Sequence, residues 1–309
     1  MELQTSLAFT SEQAETLLAA WLGSTVRCTS IERLKGGMMN TVLKLAFDRE
    51  PFHAVVKLNV AGQGFDKEAR SLRHLREHTR FPCPRVYRED SSARDFPYTH
   101  LLLEALPGVN MWDLPMPPES RERIDRELAL VLLELHSHQR DGFGSIGEAG
   151  THARWVDVFL PRLREVRGQP EVDARLPPAV SGQLDAAITR AEAALAEQGR
   201  PTLVHGDIWA ANIIVDERPT GWQLSGLVDP SAEYADVELE LAYLEQFSVV
   251  VGPAFFSEYH AHSPLRPGYE YRRLFYWLHS YLVHVWLFED QIFRDKTAWV
   301  LEQIRKVGG

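Results

Sequence analysis

Two aspartates and an asparagine carry the most specific chemical signal in the sequence. The stretch LVHGDIWAANIIV (203–215) places Asp207 after an apolar pair and Asn212 five positions later, and Asp229 follows a second short apolar run. Phosphoryl transfer needs a carboxylate that orients the attacking hydroxyl and accepts its proton, and oxygen ligands that hold Mg²⁺. We therefore predict that all three residues are catalytic, with Asn212 and Asp229 as the Mg²⁺ ligands. Any one of them alone would more readily be a turn residue or a helix cap.

The residues before position 105 include groups that could bind a nucleoside triphosphate. Gly36, Gly37 and Asn40 lie between two predicted strands, where glycines let backbone N–H groups approach phosphates closely. Lys57 ends a strand-like run and Glu68 follows inside the next helical pattern, an order that fixes a lysine on the α- and β-phosphates. Taken alone, the two glycines could belong to an ordinary hairpin, and Lys57 could lie at a solvated strand end.

A third nucleotide contact is predicted where the sequence changes character. The strand pattern of 99–103 runs into a linker at Pro107 and Gly108, and helical patterns follow. We predict that main-chain groups of Glu104 and Leu106 bind the adenine edge there. A plain core strand is equally compatible with this pattern.

The order of strand and helix patterns predicts an α+β fold of two lobes. A small β-rich N-terminal lobe (1–105), preceded by a short helix, would bind the nucleotide, and a larger, mainly helical C-terminal lobe (106–309) would hold the catalytic and substrate-binding residues. Segment 168–178 is predicted to be a surface loop. The strand-like runs are 26–31, 42–47, 54–58 and 99–103, and the helical patterns are 65–77, 124–135, 154–166, 180–198, 237–248 and 271–288.

Composition excludes several classes of protein. The chain has 309 residues and a formal net charge of -10, which argues against nucleic-acid binding because phosphodiesters require a basic surface. No stretch reaches the ~18 uninterrupted apolar residues of a membrane span, and the N-terminus lacks the pattern of an export signal. Cys28 and Cys83 are far apart and lack metal-ligand spacing. We expect a cytoplasmic protein with reduced thiols.

The order of these motifs resembles the aminoglycoside phosphotransferase and choline kinase superfamily, which has a bilobal protein kinase-like fold. Within it, several details resemble the fructosamine (ketosamine) kinase family, and the resemblance runs from about residue 31 to 288. Met38 and Met39 in the glycine turn, and Glu240 where aspartate is more usual, depart from the family pattern. The shared details are Gly36-Gly37 with Asn40, Lys57-Leu58-Asn59, Trp209 after His205-Gly206-Asp207, the run 229–236, and 255–259 before Pro264-Leu265.

The resemblance implies an ATP- and Mg²⁺-dependent kinase that phosphorylates the third sugar hydroxyl of ketosamines, with small molecules and glycated proteins as acceptors. The product sheds its sugar, so the role would be deglycation repair. A cationic amine would suit the acidic cluster of Glu233, Asp236 and Glu238, whose alternative is an acidic helix start. Trp209 would either stack on the sugar or only pack against neighbouring side chains.

Other functions remain open at this point. The same catalytic residues would serve a kinase for aminoglycosides, choline-like alcohols or other sugars. A non-catalytic nucleotide-binding module is disfavoured because Lys57, Asp207, Asn212 and Asp229 are all present. A protein kinase is disfavoured because no Ala-Pro-Glu-like segment follows Asp229.

Overall fold

The computed structural model describes residues 7–34, 40–60, 62–94, 96–112, 114–147, 152–246 and 251–307. The chain forms two compact units, which we call unit N (2–127 with 209–231) and unit C (128–208 with 232–309). Unit N is discontinuous in sequence because 209–231 returns to it. The predicted lobes, 1–105 and 106–309, are each continuous in sequence, and this division stays a prediction.

Unit N is built on a five-stranded antiparallel sheet of order β1-β2-β3-β5-β4. Side chains of the second strand alternate between buried and half-buried, as expected for a strand with one face on a core. Its elements are α1 (Ser11–Leu22), β1 (Cys28–Arg33), β2 (Thr41–Phe47), β3 (His53–Val60), α2 (Asp66–His78), β4 (Val86–Asp90) and β5 (Tyr98–Glu104).

A second sheet of unit N holds the segment that follows the catalytic motif. Its order is β10-β9-β6, all antiparallel. The strands are β6 (Val109–Asn110), β9 (Ile213–Arg218) and β10 (Gly221–Leu227), and a 3₁₀ turn (Ala210–Asn212) leads into β9. Gly108 precedes this sheet with φ +100, and a Cβ at that position would lie 2.0 Å from the carbonyl oxygen of Val215. Only glycine allows this close approach.

Unit C is mainly helical and has one core of apolar and aromatic side chains, with Trp155, Phe159 and Phe275 among its fully buried members. A small antiparallel sheet of order β7-β11-β8 accompanies the helices. The division between the units falls within α3 (Pro118–His136). The other elements are β7 (Gly144–Ser145), α4 (Val156–Arg167), α5 (Pro170–Arg175), α6 (Pro178–Ser181), α7 (Leu184–Ala194), β8 (Thr202–Val204), β11 (Glu233–Ala235), α8 (Glu238–Gln246), α9 (Pro253–His262), α10 (Tyr269–Leu287) and α11 (Gln291–Val307).

The α+β prediction is confirmed, because an N-terminal five-stranded antiparallel sheet is followed by a mostly helical region. The prediction of a surface loop at 168–178 is wrong, because Pro170 begins the short helix α5, whose Val172 is fully buried. Proline suits the first turn of a helix, since the N–H that it lacks would have no intrahelical partner. Within the described part of the chain, no helix combines the length and apolarity needed to cross a membrane.

Replacing Gly108 tests how closely the linker must approach β9. In Gly108→Ala the new methyl group would overlap the Val215 carbonyl, and φ +100 would become strained. We expect a loss of about 2–6 kcal/mol in the free energy of unfolding. Gly23→Ala is the matched control, because Gly23 also has positive φ but a Cβ there meets nothing within 4 Å. It should lose only about 1–2 kcal/mol, and equal losses in urea denaturation would rule out the steric explanation.

Candidate active site

A buried lysine lies between two carboxylates in unit N. The Nζ atom of Lys57 on β3 lies 2.7 Å from Oε2 of Glu68 on α2 and 2.8 Å from Oδ1 of Asp229. The side chains of Lys57 and Glu68 are only 6% and 11% exposed, whereas that of Asp229 is 42% exposed. The Lys57 ammonium thus faces two carboxylates. Asp229 is the more accessible of the two and is in position to bind a further cation.

Ionisation in this cluster follows from burial and charge together. Burial alone would lower the pKa of Lys57, but the neighbouring Glu68 and Asp229 outweigh it and raise that pKa. Burial and the nearby Asp229 charge raise the pKa of Glu68 to about 7, against the opposing effect of Lys57. Lys57 is therefore charged at neutral pH, and Glu68 titrates close to neutrality.

Asp229 owes its position to an unusual backbone conformation. It follows β10 with φ +62, a left-handed conformation that is uncommon for residues other than glycine. The preceding N–H, that of Val228, donates to the carbonyl oxygen of Asn212 at 2.9 Å. This bond ties together the backbones that carry Asn212 and Asp229. Strain of this kind, about 1–3 kcal/mol, is characteristic of functional sites.

The pair of Asn212 and Asp229 fits a Mg²⁺ ion as a partial ligand set. Mg²⁺ is held in kinases by one or two protein oxygens and completes its octahedron with phosphate oxygens and water. An amide and an accessible carboxylate on tied backbones provide such a set. Across the described ranges there is no group of three or more His, Cys, Asp or Glu suited to bind a metal without a nucleotide.

Of the remaining predicted nucleotide contacts, Asn40, Glu104 and Leu106 lie at or beside strands of the first sheet of unit N. Gly36 and Gly37 lie outside the described residues. The Nδ2 group of Asn59 donates to Oδ1 of Asn40 at 2.7 Å, which fixes Asn40 beside β3. The Glu104 N–H already donates to the Arg85 carbonyl, and Leu106 lies half-buried after the end of β5.

Asp207 lies in unit C, where Tyr243 orients its carboxylate. The Tyr243 hydroxyl donates to Oδ1 of Asp207 at 3.4 Å, and burial raises the pKa of Tyr243 far above its usual value, so it remains a donor. The backbone N–H of Asp207 donates to Nδ1 of His205 at 3.3 Å. Asp207 itself is half-buried, so its carboxylate is both held and accessible.

Glu240 on α8 anchors the backbone before Asp207. Its Oε1 accepts the Gly206 N–H at 2.7 Å, and its Oε2 accepts the His205 N–H at 3.3 Å and contacts Nε2 of His136 at 2.8 Å. The other ring nitrogen of His136 is 2.6 Å from the hydroxyl of Tyr259. Burial alone would raise the pKa of Glu240, but the hydrogen bonds and charges of its neighbours outweigh it and lower that pKa. The carboxylate is thus ionised and fully buried.

Sequence reasoning missed this network. Glu240 stood out only as a departure from a family pattern, and nothing in the sequence linked His136, at the end of α3, with Tyr259 on α9. The side chain of glutamate is one methylene longer than that of aspartate, and here it reaches two backbone N–H groups and an imidazole together.

The predicted acidic cluster is paired with arginines throughout. Glu233 makes a bidentate contact with Arg162 at 2.5 and 2.6 Å. Asp236 accepts from Arg266 at 2.7 Å, and it and Glu238 are almost fully buried. Arg272 donates to both oxygens of Glu238, at 2.7 and 2.8 Å. Their charges are therefore compensated within unit C, and a role in binding a substrate amine stays a prediction.

Trp209 precedes the 3₁₀ turn of unit N in an extended conformation. Its ring packs edge-to-face against that of Trp112, with centroids 5.4 Å apart. The two tryptophans therefore form an aromatic pair beside the turn that carries Asn212.

Removing the cation of the first cluster should destabilise unit N in a pH-dependent way. Lys57→Met leaves Glu68 buried without its counter-ion, which should cost about 3–5 kcal/mol in the free energy of unfolding at pH 8. The folded-state pKa of Glu68 is raised above its ordinary 4.5, so its protonated form is favoured by folding. The loss should therefore shrink as the pH falls from 8 to 5, through that raised pKa.

Urea denaturation of Lys57→Met at pH 5, 6 and 8 measures this effect. The double variant Lys57→Met/Glu68→Gln is the control, because it removes the uncompensated charge and should lose less stability, equally at each pH. A loss for Lys57→Met that does not change with pH would contradict the electrostatic explanation.

Replacing Glu240 should loosen the backbone beside Asp207. Glu240→Gln replaces one acceptor oxygen by an N–H₂ group that faces donors, so we expect a loss of about 1–3 kcal/mol in stability. Glu134→Gln is the matched control, because Glu134 also contacts a histidine, His138, at 3.0 Å but about a third of each side chain is exposed. It should lose about 0–1 kcal/mol. Equal effects in thermal denaturation would show that Glu240 contributes no more than a surface pair.

Comparisons with known proteins identify relatives of this chain. The sequence model of the family described as fructosamine kinase matches residues 10–306. A Staphylococcus aureus protein named as a probable ketoamine kinase is 25% identical over 295 residues, which cover 89% of this chain and 92% of that protein.

Solved structures of similar fold include two relevant examples. A crystal structure of a candidate fructosamine-3-kinase from Haemophilus somnus has a TM-score of 0.73 at 20% identity, covering 94% of this chain and 96% of that one. A ternary complex of the aminoglycoside phosphotransferase APH(4)-Ia with ADP and hygromycin B has a TM-score of 0.68 at 19% identity, covering 96% and 98%. Since the family model matches nearly the whole chain, the protein belongs to the fructosamine kinase family of ATP-dependent phosphotransferases.

Proposed function

We propose that this protein transfers the γ-phosphoryl group of ATP to a hydroxyl of a ketosamine, a sugar joined to an amine. The observation that carries the proposal is the buried cluster of Lys57, Glu68 and Asp229, in the same unit as Asn212. The name of the similar ketoamine kinase supports the acceptor class. The family resemblance implies phosphorylation of the third sugar hydroxyl, on small molecules and on glycated proteins.

ATP would be bound by unit N. Lys57, fixed by Glu68, would contact the α- and β-phosphates, and Gly36, Gly37 and Asn40 would supply further phosphate contacts. The main chain near Glu104 and Leu106 would bind the adenine edge. The ADP in the similar aminoglycoside phosphotransferase supports a nucleotide site in this fold.

Asn212 and Asp229 would hold Mg²⁺. When bound, Mg²⁺ neutralises charge that develops on the transferred phosphoryl group. The left-handed backbone at Asp229 holds its carboxylate toward Lys57. The Lys57 ammonium, 2.8 Å away, compensates part of the charge of this carboxylate.

Asp207 would act on the acceptor. Its carboxylate would accept the hydroxyl proton while the hydroxyl oxygen bonds to the γ-phosphorus and the bond from phosphorus to the ADP oxygen breaks. The Tyr243 hydroxyl would keep one carboxylate oxygen in place, so that the other faces the acceptor. Glu240 would fix the backbone through the N–H groups of His205 and Gly206.

Asp207→Asn tests the proposed base. It keeps the shape of the side chain but removes its basicity, so turnover should fall by at least about 10²-fold, the lower range for a positioned base. The dissociation constant for ATP should change little. The assay is ADP release with fructosyl-lysine, ribulosyl-lysine, aminoglycosides, choline and simple sugars.

Two outcomes of this assay would contradict the proposal. Turnover within a few-fold of wild type would remove Asp207 from the catalytic role. Wild-type activity on aminoglycosides or choline, with none on either ketosamine, would reject the acceptor class but leave the kinase assignment intact.

A further inference from the structure

Trp112 forms an aromatic corner with Trp209 on unit N. The ring planes of the two tryptophans meet at 68° with centroids 5.4 Å apart. Trp112 is 48% exposed, which is unusual for the largest apolar side chain. Two aromatic faces that meet at a large angle, with one of them open to solvent, form a binding surface for an apolar or cationic group.

The corner is fixed by the backbone. The Met111 N–H donates to the carbonyl oxygens of both Ala210 and Ile213, at 3.1 and 2.9 Å, and the Trp112 N–H donates to Oδ1 of Asn110 at 3.2 Å. These bonds attach the segment before Trp112 to the turn that follows Trp209. The exposed ring is therefore held on an ordered backbone, so the protein loses less conformational entropy when a ligand binds there.

The corner is also next to Asn212, a residue of the proposed catalytic site in the same unit. The Asn212 N–H donates to the Trp209 carbonyl at 2.9 Å, and Asp207 precedes Trp209 by two positions in the chain. A ligand on the corner thus lies beside the turn that carries Asn212.

The charge distribution indicates which part of an acceptor binds here. A ketosamine carries a protonated amine, and the carboxylates of Glu233, Asp236 and Glu238 are already paired with arginines. An aromatic face attracts a cation through its quadrupole and needs no counter-ion of its own. Tryptophan is the strongest of the side chains in this respect.

We propose that the corner of Trp112 and Trp209 binds the cationic amine of the acceptor, with Trp112 as a specificity-determining residue. The inference rests on the proposed function, because it concerns the acceptor of that reaction. The sugar then extends from the amine, and the amine contributes to recognition without a buried carboxylate partner.

Kinetics of Trp112→Ala test the proposal. The Michaelis constant for fructosyl-lysine should rise by about 3–30-fold, the range for loss of a cation–π contact. The inhibition constant of 1-O-methyl-fructose, a neutral ketose ether, should change less than about 2-fold. Turnover and the Michaelis constant for ATP should also stay within about 2-fold, and Trp112→Phe should retain part of the affinity.

Trp299→Ala is the matched control. Trp299 on α11 is 47% exposed and packs against a second tryptophan, Trp277, with centroids 6.1 Å apart. Its replacement should leave all these constants unchanged, so a general effect of losing an exposed tryptophan is separated from an effect on the acceptor.

Four other outcomes would contradict the inference, each in a different way. An unchanged Michaelis constant for fructosyl-lysine in Trp112→Ala overturns the aromatic corner but leaves the proposed function standing. Equal losses for the charged and neutral ligands overturn the assignment to the amine. A parallel rise in the Michaelis constant for ATP shows that Trp112 is structural. A wild-type enzyme inactive on ketosamines overturns both the proposed function and this inference.

Discussion

The burial of one lysine between two carboxylates is the constraint on which unit N depends. Lys57 cannot be removed from water at neutral pH unless its charge is compensated, because an isolated buried ion costs several kcal/mol. Glu68 supplies this compensation from α2, and Asp229 supplies it from a strained backbone after β10. The cluster therefore joins β3 and α2 to the segment that ends at Asp229, a residue 172 positions after Lys57.

The same cluster also explains why strain at Asp229 is tolerated. The left-handed conformation costs about 1–3 kcal/mol, and a contact to a buried lysine compensates for a cost of that size. Because Asp229 is partly exposed whereas Glu68 is not, the two carboxylates differ in their roles. Glu68 holds the lysine, and Asp229 remains accessible to a second cation.

Local patterns in the sequence predicted the elements that carry this cluster. The strand-like runs 42–47 and 54–58 predicted β2 and β3, and the helical pattern 65–77 predicted the helix that carries Glu68. The strand Val86–Asp90 was missed because it has no alternating pattern, and all five of its side chains are half-buried. The helix at Pro170–Arg175 was missed because its length is only six residues and its proline suggested a loop.

Interactions between distant residues could not be predicted in this way. The sequence placed Glu233, Asp236 and Glu238 in one acidic group, but it could not show that Arg162, Arg266 and Arg272 approach them, because these arginines lie on other elements. The contact of Glu240 with His136 is hidden for the same reason, since the two residues are 104 positions apart.

A pattern of like charges therefore predicts an electrostatic site only when its counter-ions are known. In unit C the acidic residues near β11 and α8 are neutralised by arginines, so their net effect on an approaching amine is smaller than their number suggests. An uncharged aromatic surface has no such dependence, because its attraction for a cation comes from the ring itself. Trp112 is half-exposed, and backbone hydrogen bonds attach the segment before it to the turn that carries Asn212. It is thus a more specific indication of cation binding than three carboxylates that are already paired.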